Sequence, residues 1–225
     1  EPIADPVCIP VYYVSKLAKD HSVTVCQVGE GSDELFCGYP HWSYVLSLER
    51  FRNIYAAVPR PLRSLATHFA KQIEPISSGK LEYMRRASMN EPVFWGGAEA
   101  FFEMHKERLV KPSLRRKLKD SSSAAIITGY FEEFLEGTDQ PDPLNWMSYV
   151  DLKLRLPELL LMRVDKMTMA TAVEARVPFL DHELVKYVLS IPQAVKTPAL
   201  QTKYLLKKAI RGLVPDAIID RPKQG

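Results

Sequence analysis

Cysteine is scarce in this chain. Cys8, Cys26 and Cys37 are odd in number, show no CxxC spacing and sit among apolar or near-apolar neighbours. Neither a disulfide framework nor a thiolate zinc site is expected from them, and reduced thiols in a cytoplasmic protein are. Histidine offers no more: His21, His41, His68, His105 and His182 form no HxxxH or HxH pair, so zinc binding and a Ser/His/Asp triad both lack a basis. No apolar run approaches the roughly 18 residues of a membrane-spanning helix, and Glu1 opens no signal peptide, so no membrane is expected as a partner. An excess of one charge sign is missing too. The net charge of +3 is spread along the sequence without a basic tract, which excludes nucleic acid as an expected partner. What is present is an ordinary globular composition, 46% hydrophobic and 25% charged, in 225 residues. That length buries a substantial core, as one domain or as a large part of one.

The most informative stretch is Val23 to Tyr39, VTVCQVGEGSDELFCGY. Val23, Val25, Cys26 and Val28 form a β-branched apolar run that predicts a strand buried on both faces. Gly29 ends it, Gly29 and Gly31 permit unusual backbone angles, and Ser32 is placed as the N-cap of a helix with Asp33 and Glu34 in its first turn. In α/β proteins ligands bind where the carboxyl end of a strand meets the amino end of a helix, so Glu30, Asp33 and Glu34 are expected to face a cleft. Acids in a first turn also suit the helix dipole alone, but Glu30 lies between two glycines before any helix begins. Carboxylates repel phosphate unless a cation stands between, so the acids point to Mg²⁺ or an amine.

Elsewhere the pattern is mainly helical. Pro2, Pro6 and Pro10 are expected to keep the first residues extended until a helix over Val11 to Lys19. Further helices are predicted over His41–Tyr55, Leu62–Ile73, Lys80–Met89, Ala98–Leu109, Ala124–Phe134, Asp142–Arg155, His182–Leu189 and Thr202–Leu213. Glu74–Gly79 and Thr138–Pro143 read as loops, and Arg115, Arg116, Lys117 and Lys119 as a solvated face. Pro157 is expected to end one helix before an apolar one begins. In that second helical region Arg163, Asp165, Lys166, Glu174 and Arg176 are charges among apolar neighbours and need partners if buried, with Glu174 and Arg176 suited to pinning the VPFLD turn. Helix followed by strand is half of a parallel unit, whose other strands this sequence does not evidently supply.

GEGSDELFCGY resembles the GEGSDE…GGY segment of the glutamine-hydrolysing asparagine synthetases, and Glu174 to Asp181, EARVPFLD, is similar to a second signature of that family. The resemblance covers residues 1–225 and implies a partial synthetase domain, without the glutaminase domain or the SGGxDS pyrophosphate loop. The end at RPKQG resembles a family motif cut short, so these residues alone are not expected to form an adenylate. The implied fold is α/β, a parallel sheet of the adenine-nucleotide α-hydrolase-like type, of which this part would be predominantly α-helical with one or two strands. The implied activity is ATP- and Mg²⁺-dependent adenylation of a carboxylate, aspartate by default, and its amidation by glutamine-derived ammonia. The glutaminase domain would lie in the same polypeptide, and a homodimer stays open. By resemblance Glu30 and Lys203 are catalytic, Asp33, Glu34, Asp165 and Lys166 bind substrate, and the backbone at Val28 and Gly29 binds ATP. Lys207 and Lys208 are read as solvated. Two departures stand out: Val28 replaces a serine common before GEG, and LPELLL carries Leu159 where many members have aspartate, with the acid at Glu158 instead. Another acceptor carboxylate is therefore an alternative, and a non-catalytic helical protein-binding module is a second.

Overall fold

A computed structural model describes residues 3–73, 79–118, 122–139 and 141–221. The loop expected at Glu74–Gly79 lies outside the described residues except for Gly79, as do Lys119 of the basic run and all of RPKQG but Arg221. In chain order the elements are α1 (Cys8–Asp20), β1 (Val25–Gln27), α2 (Ser32–Phe36), α3 (Trp42–Ala56), α4 (Arg60–Ile73), α5 (Gly79–Met89), α6 (Glu103–Leu109), α7 (Pro112–Lys117), α8 (Ser123–Gly137) and α9 (Pro143–Val150). A π-helical stretch, Asp151–Leu161, precedes α10 (Met162–Met169), β2 (Glu174–Arg176), α11 (His182–Ser190), α12 (Gln193–Lys196), α13 (Tyr204–Ala209) and α14 (Asp216–Ile219). The described residues are thus mostly helical, with two parallel strands. It divides into two compact units, residues 1–40 with 151–225, and residues 41–150. No helix among the described residues is long and apolar enough to cross a membrane.

In the first unit β1 and β2 pair in parallel, with Val25 opposite Glu174, Cys26 opposite Ala175 and Gln27 opposite Arg176. The strand expected over Val23–Val28 is shorter and, within this chain, not buried on both faces: Val23 and Val25 are exposed. Its single described neighbour, β2, covers only one edge. Helix α1 begins before Pro10 rather than after it. A proline in the first turn gives up an N–H that has no intrahelical acceptor anyway, and the Asp5 carboxylate accepts from the Val7 amide at 2.9 Å just ahead of the helix. Pro157 does not end its helix either. The wider winding of Asp151–Leu161 moves out of line the carbonyl that a proline ring strikes in an α-helix, and the chain continues into α10. Helix α10 packs along α1. Leu35 and Phe36 of α2 are buried with Val188 of α11 and lie against Phe179, Leu205 and Leu206.

The second unit is organised around tryptophans and one buried guanidinium. Trp42, Trp146 and Leu81 are at most 2% exposed. The indole N–H of Trp146 donates to the Phe94 carbonyl at 3.0 Å, and the Glu49 carboxylate accepts from the Val93 and Phe94 amides. Arg86, in a helix whose two arginines suggest a solvated side, is 0% exposed. Its guanidinium lies 3.8 Å from the centre of the Trp95 ring, donates to the Val93 carbonyl at 2.8 Å, and pairs with the carboxylates of Glu82 and Glu99. Burial alone would raise the Glu82 carboxyl, yet Arg85 and Arg86 outweigh it and hold the group below its ordinary value. Glu99 is pushed up by its burial, which the attraction of Arg86 does not offset.

Breaking a buried ion pair from one side strands the other charge, so Arg86→Met should cost about 3–5 kcal/mol in denaturant unfolding. A loss within about 0.5 kcal/mol, the scale of an ordinary surface substitution, would contradict that account.

Candidate active site

The turn between β1 and α2 is shaped by one glycine more than the other. Gly31 has φ +91°, and a Cβ there would overlap the Leu180 side chain, so both conformation and packing demand glycine. Gly29 needs neither: it is exposed, and a Cβ would meet nothing within 4 Å. Ser32 is not the N-cap. Gly31 takes that place, which frees the Ser32 hydroxyl to accept a hydrogen bond from Lys203 Nζ at 3.1 Å. The Leu180 packing is notable because Leu180 belongs to EARVPFLD, so the two signature stretches touch. Glu174 and Arg176 do not pin the VPFLD turn with buried side chains. They form β2 and pair with each other at 2.8 Å, both side chains exposed.

Lys203 reaches this turn from the residue preceding α13. Its backbone is left-handed (φ 54°), its N–H donates to the Phe36 carbonyl at 3.0 Å, and its ammonium lies 2.9 Å from Asp33 Oδ1. Gly38 makes the approach feasible, since a Cβ there would overlap Asp33 Oδ1 and crowd Lys203 Cε. Glu30 is held from the other side: Arg163 Nη2 donates to its Oε1 at 3.1 Å, while Nη1 of the same arginine binds Asp5 Oδ2 at 2.8 Å. Burial pulls the Arg163 guanidinium down, but its two carboxylate partners more than restore it. Glu34 lies deeper, 1% exposed, and accepts from the Tyr39 hydroxyl at 2.6 Å. Burial and that hydrogen bond raise the Tyr39 phenol well above its usual value. The Arg155 guanidinium covers the Tyr39 ring at 4.4 Å from its centre.

Along the whole of this sequence, residues 1–225, the chain matches the asparagine synthase family. The chain belongs to that family. Among its relatives is "Asparagine synthetase [glutamine-hydrolyzing] 1" of Bacillus subtilis, 38% identical over 228 residues that span all of this chain and 34% of that protein. A "Putative asparagine synthetase [glutamine-hydrolyzing]" of Mycobacterium bovis is 33% identical over 225 residues, all of this chain and 32% of the relative. "Amidase chyE" of Penicillium rubens is 34% identical over 113 residues, 47% of this chain and 17% of that protein. The chain thus spans about a third of the length of the first two. No solved structure matches it.

Of the residues expected at the site, Lys203 reaches Asp33 and Ser32, Glu30 on the turn is paired with Arg163 instead, and Glu34, expected to face a cleft, is buried against Tyr39. Val28 follows β1, and its N–H is used by the Arg176 carbonyl at 2.9 Å. Asp165 and Lys166 lie on α10, Asp165 exposed and Lys166 half-buried, and it is Arg163 of that helix whose side chain reaches Glu30. Leu159 is half-buried and Glu158 exposed on the π-helical stretch. The sequence groups Arg163 with the charges of its helix without indicating a partner, shows Gly38 and Tyr39 only as part of GEGSDELFCGY with no role of their own, and carries no local signal for Asp5. Among the described residues no group of three His, Cys, Asp or Glu side chains is disposed to hold a metal ion. Glu30, Asp33 and Glu34 are each engaged by a protein side chain, Arg163, Lys203 and Tyr39 respectively, so a Mg²⁺ travelling with phosphates would need one of these contacts to give way, and a Cβ at Gly29 would meet nothing within 4 Å.

Gly38→Ala should drive Lys203 and Asp33 apart while leaving the backbone in place, because the overlapping atoms are side-chain ends. A crystal structure of the variant should show the 2.9 Å ion pair broken, and an unaltered ion pair would refute the role given to Gly38.

Proposed function

We propose that residues 1–225 form the later part of the synthetase domain of an ATP-dependent amidotransferase. It would convert a carboxylate, aspartate by default, into its amide with ammonia from glutamine. The complete polypeptide would carry a glutaminase domain and the remaining sheet of an adenine-nucleotide α-hydrolase-like fold, and it would act in the cytoplasm, with a homodimer as an option. The observation that carries this reading is the Lys203 ammonium poised over Ser32 and Asp33 in a member of a family that uses ATP. One relative is named an amidase and not an asparagine synthetase, and the acceptor is kept open to carboxylates other than aspartate.

ATP with Mg²⁺ supplies activation: the carboxylate gains an AMP leaving group in place of a poor oxide one, and pyrophosphate departs. Lys203 would meet the charge that grows on the phosphoryl oxygens, exchanging Asp33 for them, and a flexible ammonium on a four-carbon stem suits that movement. Asp33, released, would hold the amine of the substrate. The backbone after β1 at Val28 and Gly29 would line the nucleotide. Glu30 would take a proton from the nitrogen as the C–N bond forms and the C–O bond to AMP breaks. Glu34, fixed on Tyr39, would hold the start of α2 in register beneath these groups. Asp165 and Lys166 are kept as substrate contacts from α10.

In the complete protein, Lys203→Met should lower turnover about 10²- to 10³-fold, the range for losing one well-placed electrostatic contact, with much smaller changes in substrate binding. Lys207→Met and Lys208→Met, on α13 and outside this cluster, should leave turnover near normal. Equal losses at all three lysines would mean a helix defect and end the case for Lys203. Absence of glutamine-dependent amide formation by the complete protein, with aspartate or with other amino-acid carboxylates, would end the case for the activity.

A further inference from the structure

Three carboxylates and two cations meet around the β1–α2 turn: Asp5, Glu30 and Asp33 against Arg163 and Lys203. Lys203 faces Asp33. Arg163 is divided between two acids, so these five side chains carry one net negative charge, and that charge falls on the Asp5–Arg163–Glu30 group. The division is uneven. Arg163 is closer to Asp5 (2.8 Å) than to Glu30 (3.1 Å), its Nε is buried with no partner, and its side chain is 11% exposed against 25% for Glu30. Asp5 is the fixed member. The Val7 amide hydrogen bond lowers its carboxyl, burial opposes this, and Arg163 adds to the lowering, leaving the group below its ordinary value. Glu30 is the more exposed member, on a turn rather than a helix, and so the one open to a reacting atom.

We infer that Arg163 is a positioning residue for Glu30, and that Asp5 sets how much of its charge Glu30 receives. Arg163 holds and aims the carboxylate by one of its two nitrogen ends. Asp5, by claiming the other end, prevents full neutralisation, so that Glu30 retains affinity for a proton or a cationic nitrogen. A carboxylate wholly owned by a guanidinium is a poor proton acceptor, since an adjacent opposite charge favours its ionised form. Other charged groups on the elements around Glu30 are Asp165 and Lys166 on α10, Lys16, Lys19 and Asp20 on α1, Glu174 and Arg176 on β2, Asp33 and Glu34 on α2, and Lys203, which is paired with Asp33. None of these is changed by the substitutions below. The inference rests on the proposed role of Glu30 as proton acceptor, and it adds a direction that the role alone does not contain: removing Arg163 and removing Asp5 should act oppositely.

The test is the acidic limb of the pH profile of amide formation by the complete protein. Arg163→Met should move that limb to higher pH by about one unit, the low end of what a neighbouring guanidinium does to a carboxylate, and Arg163→Lys should restore most of the wild-type position. Asp5→Asn should move it to lower pH, since Glu30 then has Arg163 to itself. A merely structural role for the trio would lower activity in both variants without opposite shifts, and that result, or shifts of the same sign, would overturn the inference. An Arg163→Met protein that does not fold leaves Asp5→Asn to decide, and an unmoved limb in that variant counts against the inference. A second readout is independent of turnover: the titration of Glu30 in protein with ¹³C-labelled glutamate carboxyls, assigned by difference from Glu30→Gln. Opposite titration shifts in a protein that forms no amide would uphold the arrangement around Arg163 and defeat the proposed activity instead.

Discussion

Two backbone hydrogen bonds flank the short parallel ladder on which the candidate site depends: Glu174 N–H to the Thr24 carbonyl at 2.8 Å and Val28 N–H to the Arg176 carbonyl at 2.9 Å. Parallel strands cannot be joined by a tight hairpin, so β1 and β2 arrive from distant parts of the chain and carry their neighbours with them. On one side that neighbour is the GEGSDE turn. On the other it is the VPFLD turn, whose Leu180 fills the space Gly31 leaves empty and whose Phe179 meets Phe36 edge to face at 6.2 Å. Leu35 and Phe36 then seat α2 against α11 and the leucines of α13, which sets Lys203 opposite Asp33. The ion pair is therefore a consequence of strand register and apolar packing rather than their cause.

Charge in the first unit is arranged so that each acid near the turn has a different degree of commitment. Glu34, fully buried, is bound to a phenol and not to a cation. Asp33 has a lysine that can swing away on a flexible stem, and Glu30 has half of an arginine that is itself rooted in α10. A lysine is a point charge that reorients at little cost, whereas a planar guanidinium with both ends engaged holds geometry. The two acids proposed to act thus differ in what must move before they meet a ligand.

The second unit shows the same physics used for stability. Arg86 is tolerated at zero exposure because two carboxylates, a carbonyl and an indole face surround it, and Glu49 is tolerated because two amides and the Arg52 guanidinium consume its lone pairs. Buried charge of this kind is costly when any one member is lost.

Local signals in the sequence were sufficient for most helices, since apolar residues three to four apart and punctuating Gly and Pro act within a turn or two of the backbone. They were also sufficient for the strand, turn and helix order around GEGSDE, and for the grouping of Glu30 and Asp33, which neighbour each other along the chain. Burial of the strand faces depends on a second strand far along the chain, whereas the outcomes at Pro10, Ser32 and Pro157 turn on local geometry that composition does not display: the Asp5 carboxylate on the Val7 amide, the positive φ of Gly31, and the wider winding of Asp151–Leu161. Lys203 could be tied to the acids only through a family resemblance, because nothing in TKYLLKKAI distinguishes one lysine from the next two. What the sequence alone determined was the set of chemically able residues and the segments that carry them. Which of them face one another, Lys203 with Asp33, Arg163 with Asp5 and Glu30, Tyr39 with Glu34, was decided by tertiary structure, because those distances depend on strand register and helix packing, and neither is encoded in residues adjacent along the chain.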